Sequence, residues 1–203
     1  MRTYLEELGV HPRVQHFFNP FLTQTCEEVI FKYGTSYEHA SANFHKVPIT
    51  EELWTAGEAG IATDIFICGS AMDAIAWLNL HHFKFRSFDH LLFIATGAVL
   101  NSNLLDAAPL QKNSPKKIHL LFSRDTLGAI CDLKLASFIR NKPLKIHYQE
   151  NLFNVSFENK NYEFDRLSLH ALEKASGYNF RIRTHKPKNT PTYYEQLRNR
   201  HPA

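Results

Sequence analysis

The chain has 203 residues, of which 44% are hydrophobic and 13% aromatic, with 16 phenylalanines. This composition excludes a disordered chain and supplies enough apolar side chains for one domain with a sizeable core. The formal net charge of +3 permits an acidic partner without requiring one.

The sequence also disfavours a membrane-spanning protein and a disulfide-linked protein. No apolar run approaches the roughly 20 residues that a membrane-spanning helix needs, and the first residues, MRTYLEELGV, lack the apolar region of a signal peptide. Cys26, Cys68 and Cys131 lie far apart and form no C-x-x-C pair. We therefore expect reduced thiols in a cytoplasmic protein, rather than a zinc site, disulfides or a membrane anchor.

Residues 1–63 predict a small α+β extension. Two short helices are expected at 2–8 and 12–18, because Gly9 and Pro12 interrupt the pattern. Strands are expected at 27–34 and 42–49, where they can form a hairpin. Residues 50–63 predict a loop with a short helix.

A regular alternation begins at Asp64. Short, continuous apolar runs separated by helices indicate a parallel sheet covered on both faces. The predicted strands are 65–68, 90–96, 118–123 and 144–149, and the predicted helices are 70–80 and 126–140. In the second helix, an apolar stripe is expected to face the sheet; it comprises Leu127, Ile130, Cys131, Leu135 and Phe138.

The remainder, 151–203, predicts one helix at 166–176 and an extended basic tail. Pro187 and Pro191 argue against regular structure in that tail. A solvated tail is one interpretation, and an arm that contacts nucleic acid through cations and aromatic rings is the other. The residues of this arm would be Arg181, Arg183, Lys186, Lys188, Tyr193 and Tyr194. The chain is thus divided into 1–63, 64–150 and 151–203.

A binding site is expected where the parallel strands end, because ligands of such sheets bind outside the carboxyl ends of the strands. Three ends qualify: Gly69-Ser70, Thr96-Gly97 and Ser123-Arg124-Asp125. None of them matches a dinucleotide fingerprint, a P-loop or a nucleophile elbow. The Gly69-Ser70 turn opens a helix, so it can seat a small anion or a nucleotide phosphate.

Structural roles compete with these functional ones. Ser70 and Asp73 have the spacing of a capping box, in which Ser70 accepts a backbone N–H of the first helical turn and Asp73 reaches back to the N–H of the cap. Asp125 precedes a helix and is expected to cap its N-terminus. As a Mg²⁺ ligand, Asp125 would need further oxygens, and other carboxylates are poorly placed to supply them.

Residues 64–150 resemble the toprim domain of primases and topoisomerases, most closely the primase-like toprim proteins of bacterial mobile elements. The resemblance lies in IFICGSAMDAIAWL, FIATGA and IHLLFSRDTLGAICDLKLASFI. It implies a three-layer α/β fold with a central, mostly parallel four-stranded sheet, here with the small N-terminal extension. In that family a glutamate acts as general acid/base and an Asp-x-Asp pair holds Mg²⁺.

This chain keeps the scaffold residues of the pattern and lacks most of its acids. Asp73, Thr96-Gly97 and Gly128 stand where the family pattern expects them. Gly69, however, replaces the glutamate, Ser123 replaces the first aspartate, and Asp125 alone remains. One carboxylate beside Arg124 would bind Mg²⁺ weakly.

Three functions remain open on this basis. The first is a catalytically degenerate toprim-like protein that binds nucleic acid or a replication or mobile-element partner, with no cofactor. The second is an active Mg²⁺-dependent primase-like or nuclease enzyme using Asp125 and Asp73. The third is a binder of a small anion or nucleotide at the Gly69-Ser70 turn. The resemblance and the lost acids favour the first.

Overall fold

The computed structural model describes residues 2–100 and 116–200 and has a mixed α/β architecture. Within these ranges the helices are α1 (Tyr4–Glu7), α2 (Pro12–Phe18), α3 (Ala71–His81), α4 (Thr126–Ile139), α5 (Leu169–Ser176) and α6 (Tyr193–Arg198). Short 3-10 turns span Asn19–Phe21 and His82–Lys84. The strands are β1 (Thr23–Gln24), β2 (Glu28–Tyr33), β3 (Ser36–Ser41), β4 (His45–Lys46), β5 (Trp54–Ala56), β6 (Asp64–Cys68), β7 (Leu91–Ala95), β8 (Lys117–Leu120), β9 (Leu144–Gln149), β10 (Leu152–Phe157), β11 (Lys160–Phe164) and β12 (Ile182–Thr184).

A central sheet has the strand order β12-β8-β6-β7-β5. Its first four strands are parallel, and β5 runs antiparallel to β7 at one edge. Every residue of β7 is buried, as expected for a parallel strand covered on both faces. The predicted mostly parallel sheet is therefore confirmed, but it contains five strands rather than four.

The fourth predicted strand, 144–149, forms as β9, but its assignment to the central sheet was wrong. β9 pairs with β10 in a separate antiparallel sheet of order β11-β10-β9, and β12 takes the place beside β8. The sequence of β9 alternates Leu144, Ile146 and Tyr148 with polar residues, which is typical of a half-exposed antiparallel strand. β12 has three residues with one apolar side chain, too short a pattern to be detected.

The two faces of the central sheet carry separate cores. On one face, β6 and β7 pack through Phe66 and Phe93 against α3, α6 and the N-terminal segments. On the other face, Ile65 and Ile67 pack against α4, α5 and the β9–β11 sheet. Side chains alternate across each strand, so neighbouring residues belong to different cores.

α4 packs through a stripe that overlaps the predicted one. Leu135 is fully buried, and Ile130 and Cys131 are partly buried against the core, as predicted. Ala129, Leu133 and Ala136 are buried as well, whereas Leu127 is 70% exposed and Phe138 is 38% exposed. The start of α4 lies close to the loop that precedes it. A Cβ on Gly128 would lie 2.0 Å from Ser123 O, so no larger residue fits there.

The N-terminal region contains the predicted hairpin at a different position. β2 pairs with β3, and the second strand is 36–41 rather than 42–49. β1 and β4 extend this sheet at its two edges. Residues 54–56, expected in a loop or short helix, form the edge strand β5 of the central sheet.

The C-terminal segment is folded rather than an extended tail. β12 lengthens the central sheet, and α6 packs against α3. Tyr193, Tyr194 and Leu197 are buried in the same core as α3. Thr192 starts α6, because its side chain accepts the N–H of Glu195. Among the described residues, no helix combines the length and apolarity needed to cross a bilayer.

We predict that Leu197→Ala lowers the free energy of unfolding by about 2–5 kcal/mol, the usual cost of a cavity at a buried leucine. Chemical denaturation of the full chain measures this. Asn199→Ala is the control, since Asn199 is exposed just beyond α6 and should change stability by no more than about 0.5 kcal/mol. Equal effects of the two substitutions would contradict a docked α6.

Candidate functional site

Two of the three predicted strand ends lie side by side at the carboxyl edge of the central sheet. Thr96 donates its backbone N–H and its hydroxyl to Cys68 O, at 3.0 and 3.3 Å. Gly97 has a φ of +81°, and a Cβ there would lie 2.7 Å from Pro48 O, so this turn requires glycine. A Cβ on Gly69 would lie 3.7 Å from Gly97 O, which places the two turns side by side.

The Gly69-Ser70 turn is filled by a carboxylate of the chain itself. Glu38, from β3, is fully buried and lies at the N-terminus of α3. Its Oε2 accepts the backbone N–H of Ala71 at 2.8 Å, and its Oε1 accepts that of Met72 at 3.0 Å. Ser70 donates its hydroxyl to Oε1 at 2.9 Å.

Two further side chains complete the surroundings of Glu38. Tyr33 donates its hydroxyl to Oε2 at 2.6 Å, and His45 Nε2 lies 2.9 Å from Oε1. The carboxylate therefore occupies the position where an external anion would meet the positive end of the helix dipole. The expected seat for a small anion at this turn is already occupied, which corrects that expectation.

Sequence reasoning missed Glu38, because nothing in its local pattern marks it. It lies in a strand whose neighbours Tyr37 and His39 are partly exposed, and it approaches α3 only through the tertiary fold. The toprim-like pattern expects a glutamate at position 69, where this chain has glycine. A carboxylate nevertheless reaches the same end of β6 from another strand.

Only one of the two hydrogen bonds of the predicted Ser70–Asp73 capping box forms. Ser70 caps α3 by accepting the N–H of Asp73 at 3.2 Å, as expected. The Asp73 carboxylate, however, does not return to the cap; it accepts the N–H of Tyr194 at 2.8 Å at the start of α6. Burial raises the pKa of Asp73 to about 7, although the Tyr194 N–H and the nearby His45 favour the charged form.

The two tyrosines of the predicted nucleic-acid arm are structural. Tyr194 donates its hydroxyl to Ser41 O at 3.1 Å, and its oxygen lies 2.5 Å from the hydroxyl of Tyr4. Burial raises the pKa of Tyr193 and of Tyr194 above the ordinary tyrosine range. Because both rings are enclosed by α1, α3 and the hairpin, neither can stack on a base, and this part of the arm was wrong.

Asp125 has the predicted capping role at the third strand end. It accepts the N–H of Gly128 and the hydroxyl of Ser123, both at 2.7 Å. Burial opposes its ionisation, but these hydrogen bonds and the charge of Lys186 outweigh that effect and lower the pKa of Asp125. Within the described part of the chain, no group of three or more His, Cys, Asp or Glu residues is placed to hold a metal ion.

The predicted arm divides between the two faces of the sheet. Thr184 and Lys186 line a cleft of about 630 Å³ beside the exposed Arg124 on the α4 side. Lys186 is not a free cation, since its Nζ lies 2.7 Å from Asp132 Oδ2. Arg183 and His185 alternate with them and lie on the α3 side. Arg181 and Lys188 are exposed.

A chain of hydrogen-bonded rings lies on the α3 face of the central sheet. His119 Nε2 is 3.1 Å from Asp64 Oδ1, and His119 Nδ1 is 2.9 Å from His185 Nε2. Trp77 lies between His81, at 4.7 Å between ring centroids, and His185, at 5.6 Å. His81, His119 and His185 thus form one cluster.

Burial lowers the pKa of all three histidines, and it lowers that of His185 to about 4. Surrounding positive charges act in the same direction. The cations are exposed and comprise Lys84, Lys117, Arg183, Lys188 and Arg200. We call the three histidines together with these five cations the histidine face.

Comparisons with known proteins identify no relative: no family model, curated protein or solved structure matches this chain.

We predict that Glu38→Gln destabilises the fold by about 2–4 kcal/mol, because an amide NH₂ would face hydrogen-bond donors that now meet a carboxylate oxygen. Thermal and urea unfolding measure the change. Glu28→Gln is the matched control, since Glu28 pairs with His39 on the same hairpin but is about one-third exposed. Glu28→Gln should lower the free energy of unfolding by less than about 1 kcal/mol. Equal destabilisation by the two substitutions would contradict the role of Glu38.

We predict a pH-dependent difference between the wild type and Asp73→Asn. A carboxyl with a raised pKa binds its proton more tightly in the folded state, so its contribution to stability falls as the pH rises from about 4 to about 7. Asp73→Asn has no carboxyl group to titrate, so its stability does not fall for this reason. Its free energy of unfolding, relative to that of the wild type, should therefore rise by about 2–4 kcal/mol over that pH range.

Urea unfolding at a series of pH values measures this difference. Asp89→Asn is the control, because it removes a carboxyl group that is exposed rather than buried. A difference between wild type and Asp73→Asn that does not vary with pH would contradict the raised pKa.

Proposed function

We propose that this chain is a nucleic-acid-binding α/β protein whose toprim-like sheet edge serves the fold rather than phosphoryl transfer. The carboxylates at that edge support this proposal through their hydrogen bonds. Glu38 caps α3, Asp73 holds the start of α6, and Asp125 caps α4. A carboxylate that already accepts several protein donors has little capacity left for a metal-bound substrate.

The histidine face is the observation that carries the binding proposal. Its five cations are exposed, and none of them forms an ion pair with a carboxylate within residues 2–100 and 116–200. Asp64 also faces the cluster, where its Oδ1 lies 3.1 Å from His119 Nε2. Exposed cations that surround one histidine cluster without forming ion pairs are expected to attract a polyanion such as a nucleic-acid backbone.

An exposed ring beside these cations favours single strands. Phe83 is 73% exposed, and Lys84 Nζ lies 5.8 Å from its ring centroid. Aromatic rings interleaved with cations are typical of surfaces that bind single-stranded nucleic acid, because bases stack on the rings while phosphates meet the charges. In this proposal, Phe83 has the stacking role that Tyr193 and Tyr194 cannot fill.

The test is fluorescence anisotropy with a labelled single-stranded DNA of about 16 nucleotides, in the presence of EDTA. Binding should weaken steeply with salt. Lys84→Gln/Arg183→Gln should weaken binding about tenfold or more and reduce the slope of log affinity against log salt by about 1.4, or 0.7 for each lost contact. Phe83→Ala should weaken binding to single strands by about 5-fold or more, and binding to a duplex much less.

The control variant is Lys145→Gln/Lys160→Gln, which removes two exposed cations from the β9–β11 sheet. It should leave binding unchanged. Absence of salt-dependent binding to DNA and RNA at about 50 mM salt would overturn the proposal. An equal loss in the control variant would overturn its assignment to the histidine face.

A further inference from the structure

The hydrogen bonds of the histidine face fix which ring nitrogens carry a hydrogen. Asp64 Oδ1 is a carboxylate oxygen, so His119 donates to it from Nε2 at 3.1 Å. The other nitrogen of His119, Nδ1, is then an acceptor, and it receives the N–H of His185 Nε2 at 2.9 Å. In its neutral form, the hydrogen-bonded chain from Asp64 to His185 therefore leaves His185 Nδ1 without a hydrogen.

His81 also has a ring nitrogen without a hydrogen. Its Nδ1 donates to Trp77 O at 2.8 Å, because a carbonyl oxygen only accepts, and Nε2 is left bare. In the described part of the chain, the enclosed side-chain atoms without a hydrogen-bond partner are Gln24 Oε1, Trp77 Nε1 and Asp132 Oδ1. The bare nitrogens of His81 and His185 are not among them and accept no hydrogen bond there, so both are open to solvent and can take up a proton.

The surroundings of these two rings oppose a proton in the free protein. Burial is the first cause of the lowered pKa of His81 and of His185, and the exposed cations act in the same direction. A charge on one ring also repels a charge on the other, so the pair should take up about one proton rather than two. The charged and titratable groups around the cluster are Asp64 on β6, Lys117 on β8, Arg183 on β12, Lys84 in the 3-10 turn after α3, Tyr193 on α6, and Lys188 and Arg200 on either side of α6.

A bound nucleic-acid backbone would change this balance of charge. Its phosphates bring negative charge to the exposed cations of the histidine face, and these cations then repel a ring proton less strongly. The protonated ring also gains an anionic neighbour, which favours its charged form. Proton uptake and strand binding therefore assist each other, because the coupling between two ligands acts equally in both directions.

We propose that the histidine face is a proton-linked binding site, which holds a single strand more tightly when His81 or His185 takes up a proton. This inference rests on the proposed nucleic-acid binding and adds its regulation by pH. A complex that holds more protons than its free components gains affinity as the pH falls. Because the pKa of each ring lies below the ordinary value of 6.5, both rings are neutral at about pH 7.5, and the effect appears at lower pH.

Fluorescence anisotropy with a labelled oligothymidylate of about 16 nucleotides tests this at constant ionic strength, since thymine takes up no proton in the pH range used. The affinity of the full chain should rise about fivefold or more between about pH 7.5 and about pH 5.5. His81→Gln/His185→Gln should remove most of this rise, because glutamine retains a side-chain N–H but does not titrate. His147→Gln, which removes an exposed histidine from β9, is the matched control and should keep the rise.

Titration calorimetry in two buffers with different heats of ionisation counts the protons taken up on binding. For the wild type at about pH 6 it should give about 0.3–1 proton per strand, and this measurement decides the question alone if the double variant does not fold. Zero proton uptake, or an equal rise in affinity in the double variant and the wild type, would overturn the inference. Strand binding that does not vary with pH would overturn this inference only, whereas absence of strand binding at both pH values would overturn the proposed function as well.

Discussion

The carboxylate of Glu38 is the interaction on which the arrangement of this molecule depends. It joins the N-terminal hairpin to the first helix of the central sheet, accepting backbone N–H groups of Ala71 and Met72 while fully buried. A charge buried in this way is tolerated because donors surround it and because it lies at the positive end of a helix. Asp73, in the same first turn of α3, holds α6 by accepting the backbone N–H of Tyr194. Two carboxylates at the start of α3, those of Glu38 and Asp73, thus attach the N-terminal hairpin and α6 to the central sheet.

These acids explain how an edge that resembles an active centre can be structural. Ligand chemistry at the carboxyl ends of parallel strands uses helix N-termini and side chains with free hydrogen-bonding capacity. Here the free N–H groups of α3 meet Glu38, and those of α4 meet Asp125. The same property that lets a helix start bind phosphate lets it bind a carboxylate of its own chain. Function is then expected on surfaces beside the edge, where cations remain without acidic partners.

The alternation of side chains along β12 creates two such surfaces from one basic segment. Arg183 and His185 lie with the histidines of the α3 side, whereas Thr184 and Lys186 line the cleft of the α4 side. The physical environments differ accordingly. On the α3 side, exposed cations surround buried and half-buried histidines, and on the α4 side a partly apolar cleft is lined in part by the Lys186–Asp132 ion pair. A segment that resembles a uniform basic tail in sequence therefore contributes to two different surfaces.

The sequence alone determined the alternating core elements, because continuous apolar runs and helical periodicity are local signals. The elements α3, α4, β6 and β7 lie close to their predicted positions. The capping roles of Ser70 and Asp125 also follow from their positions just before these helices. Only the tertiary structure decided which strands share a sheet, that Tyr193 and Tyr194 are buried, and that Glu38 fills the helix start. Short strands such as β12 gain their stability from a neighbouring strand rather than from their own residues. Long-range contacts such as that of Glu38 with Met72 depend on packing between segments distant in sequence, and no local pattern encodes them.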